Sequence, residues 1–176
     1  MKRIIIFLFA SFTLQSQLLP QISQTPKFTH QDTLRGSITP ERSWWDLKYY
    51  HLDIIVNPAD STIKGTNTVM YKVLTTGKVM QIDLQSPMAL TKAVQNGKDL
   101  KIVEDGNAHF IYLIDDQDQG AINTVILTYG GRPRISRRPP WEGGITWKKD
   151  QNNLPFIASS CQGDGKYLRR PYGHAG

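Results

Sequence analysis

Residues 48–57 read K-Y-Y-H-L-D-I-I-V-N. Tyr50, Leu52, Ile54 and Val56 alternate with Tyr49, His51 and Asp53. That period of two predicts a strand with one buried face. Downstream, residues 57–61 supply a Pro-containing turn, and residues 63–74 resume the alternation with Val69, Tyr71 and Val73 on one side. Short apolar runs at 79–84, 100–103, 108–114, 122–129 and 154–161 read as further strands. Asn96-Gly97 and Asp105-Gly106 are the strongest hairpin signals, because a type I′ turn needs positive φ at both central residues. The spacing of Met88–Val94 suits a helical turn as well as a strand. No segment after the first twenty residues has the length and period of a helix. Many short strands with turn signals between them predict an all-β sandwich.

Upstream of that first strand, residues 17–40 are polar and aperiodic, and they read as a linker or surface strap. The first twenty residues differ. Lys2 and Arg3 precede an apolar run from Ile4 to Leu14, which is the layout of a secretory signal peptide with cleavage between residues 16 and 23. The run is too short for a membrane span, which needs ~20 apolar residues. The expected organisation is a signal peptide at 1–20, a strap at 21–40, one β domain at 41–163 and a loose tail at 164–176. The protein is then exported, periplasmic or extracellular, with no membrane span after cleavage. Cys161 is the only cysteine, so no internal disulfide supports the fold.

The 176 residues carry 21 Lys and Arg against 15 Asp and Glu, a net charge of +6. Mean hydropathy is -0.38, which excludes a multi-pass membrane protein. The basic excess lies beyond residue 131, and Arg132, Arg134, Arg137 and Arg138 form its core. Arginines beside Trp141 and Trp147 could bind a polyanion. A solvated or ion-paired loop is the plainer reading, and an exported chain rarely meets nucleic acid, so none is expected as a partner.

Few residues suggest catalysis. His30, His51, His109 and His174 never stand four apart, which rules out an H-E-x-x-H zinc helix. His51 and His109 read as surface or strand-edge residues. There is no G-x-S-x-G elbow and no glycine-rich phosphate loop. Cys161, ending an apolar run, reads as a small core residue, unless a histidine comes near enough to act as its base. Trp44, Trp45, Tyr49 and Tyr50 form an aromatic cluster that could fill a core or interface, or serve as a sugar platform.

Three stretches together resemble one family. They are RGSITPERSWWDLKYYHLDI at 35–54, PPWEGGITWKKD at 139–150 and ASSCQG at 158–163. The combination looks like the N-terminal domain of secreted bacterial zinc aminopeptidases of the aminopeptidase N type, with the chain ending before the catalytic domain. The resemblance implies a saddle-shaped antiparallel or mixed β-sandwich that packs on a thermolysin-like catalytic domain as its partner. Zinc belongs to that full-length family and not to this chain, where no catalytic residue, metal ligand or peptidase activity is expected. The resemblance also gives Gln162 a role, binding the free α-amino group of a peptide substrate in the whole enzyme. An amide oxygen can accept hydrogen bonds from an ammonium. From Asp164 onward the sequence, DGKYLRRPYGHAG, departs from the family pattern. The alternative is a free-standing exported β-sandwich module that binds glycans or a protein partner.

Overall fold

A computed structural model describes residues 28–161. The expected signal peptide, Gln162, His174 and the tail at 164–176 lie outside the described residues. The described chain is an all-β sandwich built from antiparallel strands. β1 (Trp45–Asn57), β2 (Thr62–Val73), β3 (Gly77–Asp83), β4 (Ala89–Gln95), β5 (Lys98–Asp99), β6 (Lys101–Asp105), β7 (Ala108–Gln117) and β8 (Ile122–Gly131) form two layers. The larger layer has five strands in the order β1-β2-β8-β4-β5, and the smaller has three in the order β3-β7-β6. β9 (Gly144–Lys149) and β10 (Pro155–Ser160) make a separate hairpin. The ambiguous segment at 88–94 is therefore a strand, held by pairing with β8.

Between the layers lies the apolar core. Val69, Tyr71 and Val73 of β2, Val125 and Leu127 of β8, and Leu90 and Ala93 of β4 face Met80, Ile82, Ile111 and Leu113 of the smaller sheet. Trp44 and Trp45 close one end. Their rings meet Tyr71 edge-on at 5.7 and 6.0 Å. Trp44 Nε1 donates to the Val79 carbonyl at 2.6 Å, and Trp45 Nε1 donates to the Glu41 carbonyl at 3.0 Å. Gly77 is required here, because a Cβ on it would meet the Trp44 ring at 2.3 Å. The hydroxyl of Tyr71 donates to Gln117 Oε1 at 3.0 Å and accepts from Gln95 Nε2 at 2.9 Å. Asn123 Nδ2 reaches the same Gln117 oxygen at 2.7 Å. These buried polar groups satisfy one another, as a low-dielectric interior demands.

Three expectations need correction. β1 does not keep a buried face along its length. Beyond Tyr50 the strand is exposed, and Leu52 is 52% and Ile54 50% accessible. The smaller opposing sheet does not extend over this end of β1. Helices are also present: α1 (His30–Gly36) and α2 (Pro40–Ser43). Thr29 and Asp32 form a reciprocal capping box at the start of α1, which supplies partners for amides that a helix start otherwise leaves free. Finally, the second hairpin turns on Gly106-Asn107, since Asp105 already pairs with Ala108. Of these two turn residues only Gly106 has a positive φ, 61°, the pattern of a type II′ turn. Asn96-Gly97 does turn as expected, at φ values of 52° and 74°.

The strap formed by α1 and α2 is fastened by polar contacts. Arg42 pairs with Asp83, both side chains being about nine-tenths buried. Arg42 Nη1 also donates to the carbonyls of Arg35 and Ser37. Gln81 Nε2 donates to the Leu34 carbonyl and to Asp83 Oδ1. At the far end, Gln31 Nε2 and His30 Nε2 contact Asp105 at 2.8 and 2.7 Å. Breaking a buried ion pair by removing one partner costs about 3–5 kcal/mol, because the other charge is left stranded. Arg42→Met should therefore lower unfolding free energy by about that amount in urea titrations. The double substitution Arg42→Met with Asp83→Leu should recover most of the loss.

A pH effect follows from the buried phenols. Burial pushes Tyr71 up to about 12, and burial with nearby Asp83 also raises Tyr50. An ordinary phenol ionises near pH ~10. The folded state keeps these groups neutral above that value, so their contribution is complete below about pH 10 and is lost as pH rises towards about 12. Urea midpoints should fall across that window, and Tyr71→Phe should flatten the fall.

Candidate functional site

The end of the described chain gathers most of the residues that the sequence singles out. After β8, the basic segment 132–138 crosses to β9. It is tied down by backbone bonds between Ile145 N and the Arg134 carbonyl at 2.8 Å, and between Ser136 N and the Ile145 carbonyl at 3.1 Å. Gly144 sits at φ 131°, and a Cβ on it would lie 2.8 Å from both the Arg134 oxygen and the Ser136 nitrogen. Gly144 thus allows a close backbone approach, and the Gly143-Gly144 pair does not form the turn of the hairpin. That turn is at 150–154, where Asp150 Oδ1 accepts from the amides of Asn152 and Leu154.

The basic segment is held by acidic groups of its own chain. Arg134 Nη2 donates to Glu142 Oε1 at 3.1 Å, and Ser136 Oγ donates to the Glu142 carbonyl at 2.6 Å. Arg132 lies close enough to Asp60 to help hold its carboxyl below the ordinary value, after the larger effect of hydrogen bonds from Thr62. Arg137 and Arg138 are exposed. This arrangement favours an ion-paired loop over a dedicated polyanion groove. The Arg134–Glu142 pairing, eight residues apart, carries no signal in the sequence.

β10 leads from this loop to Cys161, the last described residue. Ser160 Oγ donates to the Pro140 carbonyl at 3.1 Å, which fastens the strand end to the Pro-Pro segment. Cys161 is exposed, contrary to the expectation of a core cysteine. Gln162, the expected substrate-binding residue, lies immediately beyond it and outside the described residues. Along β10, Phe156 is 53% accessible and Ile157 37%, with Leu154 just before it at 59%. Trp147 on the partner strand buries its indole N–H with no hydrogen-bond partner among the described residues.

The histidines fall in three different places. His51 is exposed beside Asp53 at 3.5 Å, and His30 pairs with Asp105. His109 is 3% exposed and lies on the central strand of the smaller sheet, against the expectation of a surface or strand-edge residue. Its strand position points it inward, 3.5 Å from Glu104. Among the described residues no three His, Cys, Asp or Glu side chains come together to hold a metal. The aromatic cluster is split: Trp44 and Trp45 are core residues, whereas Tyr49 is 54% accessible. The two tryptophans are therefore not available as a sugar platform. A polar cleft of about 250 Å³ lies under α1, lined by Gln31, Arg35, Asp83, Gln85 and Asn107. Among the described residues no helix is long and apolar enough to cross a membrane.

Comparison with solved structures places this geometry. A mutant two-domain M1 zinc metallopeptidase bound to L-arginine superposes with a TM-score of 0.54 at 20% identity, over 73% of this chain and 29% of that one. The M1 zinc metallopeptidase from Deinococcus radiodurans gives 0.55 at 18% identity, over 76% and 30%. Native yeast LTA4 hydrolase gives 0.55 at 13% identity, over 74% and 21%. The fold is that of the N-terminal domain of M1 zinc metallopeptidases. This chain spans under a third of the length of these structures. No protein-family profile and no curated protein matches the sequence. The zinc named for the metallopeptidases finds no ligand set among the described residues here, so no catalytic step is assigned to them.

The close approach at Gly144 predicts a measurable effect. Gly144→Ala should push the 134–136 segment away from β9 and loosen the loop. Trypsin should then cut the Arg137–Arg138 bond several-fold faster than in the wild type, on the order of the change produced by ~1 kcal/mol of local destabilisation.

Proposed function

We propose that this chain is the non-catalytic N-terminal β domain of an exported zinc metallo-aminopeptidase, and that it helps to hold the substrate's free N-terminus. The observation that carries the reading is the shared fold, which extends over about three quarters of the chain while accounting for under a third of the compared metallopeptidases. The motif stretches at 35–54, 139–150 and 158–163 agree with it. So does the exposed apolar surface on Leu52, Ile54 and Val56 of β1 and on Phe156 of β10, which a packed neighbouring domain would cover.

In this reading the catalytic domain supplies the zinc and the hydrolytic chemistry. The N-terminal domain supplies Gln162, just past the Ser160 anchor on Pro140. The side-chain oxygen accepts hydrogen bonds from the substrate's α-ammonium group and so fixes the peptide by its end. Export follows from the Lys2-Arg3 and Ile4–Leu14 layout.

The test is kinetic, in an enzyme that joins this domain to a catalytic domain of the M1 type. Gln162→Ala removes one acceptor for a charged donor, worth about 1.5–3 kcal/mol. kcat/KM for free-amine peptides should drop by roughly ten- to a hundredfold, with zinc content unchanged. N-acetylated peptides should lose nothing further. Unchanged kcat/KM on free-amine peptides would remove Gln162 from the site. The chain alone, with or without zinc, should hydrolyse no aminoacyl amide; turnover abolished by a chelator would overturn the non-catalytic role.

A further inference from the structure

β1 is the outermost strand of the five-stranded sheet. Among the described residues it pairs with β2 on one side and with no strand on the other. Its ladder is regular from Tyr49 to Asn57, past the irregularity between Leu47 and Tyr49. This stretch carries apolar residues on both faces. Leu52, Ile54 and Val56 lie on one, and Tyr49 and Ile55 lie on the other, at 42–60% accessibility. Natural edge strands are usually shortened, bulged, or interrupted by lysine or proline, because a bare edge invites another strand. The stretch 49–57 has no lysine, proline or bulge, and Asp53 is its one carboxylate.

We propose that β1 pairs antiparallel with β1 of a second copy of this chain about a two-fold axis at Leu52, making one continuous sheet. The register follows from cross-strand complementarity. With Leu52 opposite its own copy, Tyr50 faces Ile54, Tyr49 faces Ile55, and His51 faces Asp53, each pair occurring twice by symmetry. Aromatic–β-branched and opposite-charge pairs are the favourable combinations across antiparallel strands. Moving the axis one residue forward, to Asp53, sets that carboxylate against its own copy. Moving it back to His51 sets the two imidazoles together and places Tyr49 against Asp53. Both arrangements oppose like groups or bury a charge against a ring. The Leu52 register avoids both and sets each imidazole, a hydrogen-bond donor, opposite a carboxylate acceptor. His51 and Asp53 are already 3.5 Å apart along the strand, so the paired edges carry an alternating quartet of these groups. This pairing uses the main-chain edge of β1, whereas the aminopeptidase reading uses the side-chain face of Leu52, Ile54 and Val56.

The test is sedimentation equilibrium of the full chain. The wild type should sediment as a dimer. Asp53→Lys, at a side chain 73% exposed, should weaken association on the order of tenfold or more, since both imidazole–carboxylate pairs lose their acceptor and face an ammonium instead. His51→Asp should do the same. The double variant His51→Asp with Asp53→Lys should restore the dimer, because each carboxylate at 51 then opposes an ammonium at 53 of the other copy. In a Cys161→Ser background, Leu52→Cys should form an intermolecular disulfide on mild oxidation and Ile54→Cys should not. A monomeric wild type overturns the proposal. So does a dimer indifferent to Asp53→Lys, a double variant no better than the single ones, or equal cross-linking at 52 and 54.

Discussion

The two layers of this sandwich share one buried polar node, built on Tyr71 and Gln117 inside the apolar core. The Tyr71 ring lies edge-on to both Trp44 and Trp45, and its hydroxyl bridges Gln95 and Gln117. Through that hydroxyl β2 is joined to β4 in its own sheet and to β7 in the opposite one, and Asn123 adds β8 at the Gln117 oxygen. An apolar core alone would tolerate small slips of one sheet over the other, because dispersion and burial are not directional. A satisfied polar node inside it tolerates none, since each displaced group would be left without a partner. The register of the layers, and with it the placing of the 132–161 segment at the end of β8, depends on this node.

Much of the architecture was legible because strands declare themselves by period. β2, β7 and β8 fell where alternating apolar residues placed them, to within a few residues. The strap did not. α1 buries a single leucine, Leu34, so it has no apolar stripe to read. Its one local signal is the Thr29–Asp32 cap. Asp105-Gly106 announced a turn correctly but not its centre, since a positive φ at Gly106 serves two turn types. The exposed end of β1 was illegible for a different reason. Alternation shows which residues share a face. The length of the opposing sheet, which decides whether that face is covered, is set by distant parts of the chain.

The candidate site was legible in its motifs and not in its wiring. The PPWEGG stretch was visible, yet its function as a brace depends on Arg134 reaching Glu142 and on Gly144 admitting the backbone of 134–136. Those contacts turn a basic, Pro-rich segment into a fixed support for β10. The strand that ends at Ser160 is presented by a hairpin pinned at both ends, by the Asp150 turn and by the Ser160–Pro140 bond.

The strap's fastenings to the sheet reach far along the chain. Gln31 and His30 bind Asp105, and Arg42 binds Asp83. Neither helix is long enough to persist by itself in water. The strap therefore has nothing to hold until β3 and the β6–β7 hairpin exist. In a chain synthesised from its N-terminus, this early part of the domain docks only after β3 and the β6–β7 hairpin have emerged. Closing those long loops late means that the outer face of the smaller sheet, with Gln81 and Asp83, stays open to solvent until the rest of the sandwich is complete.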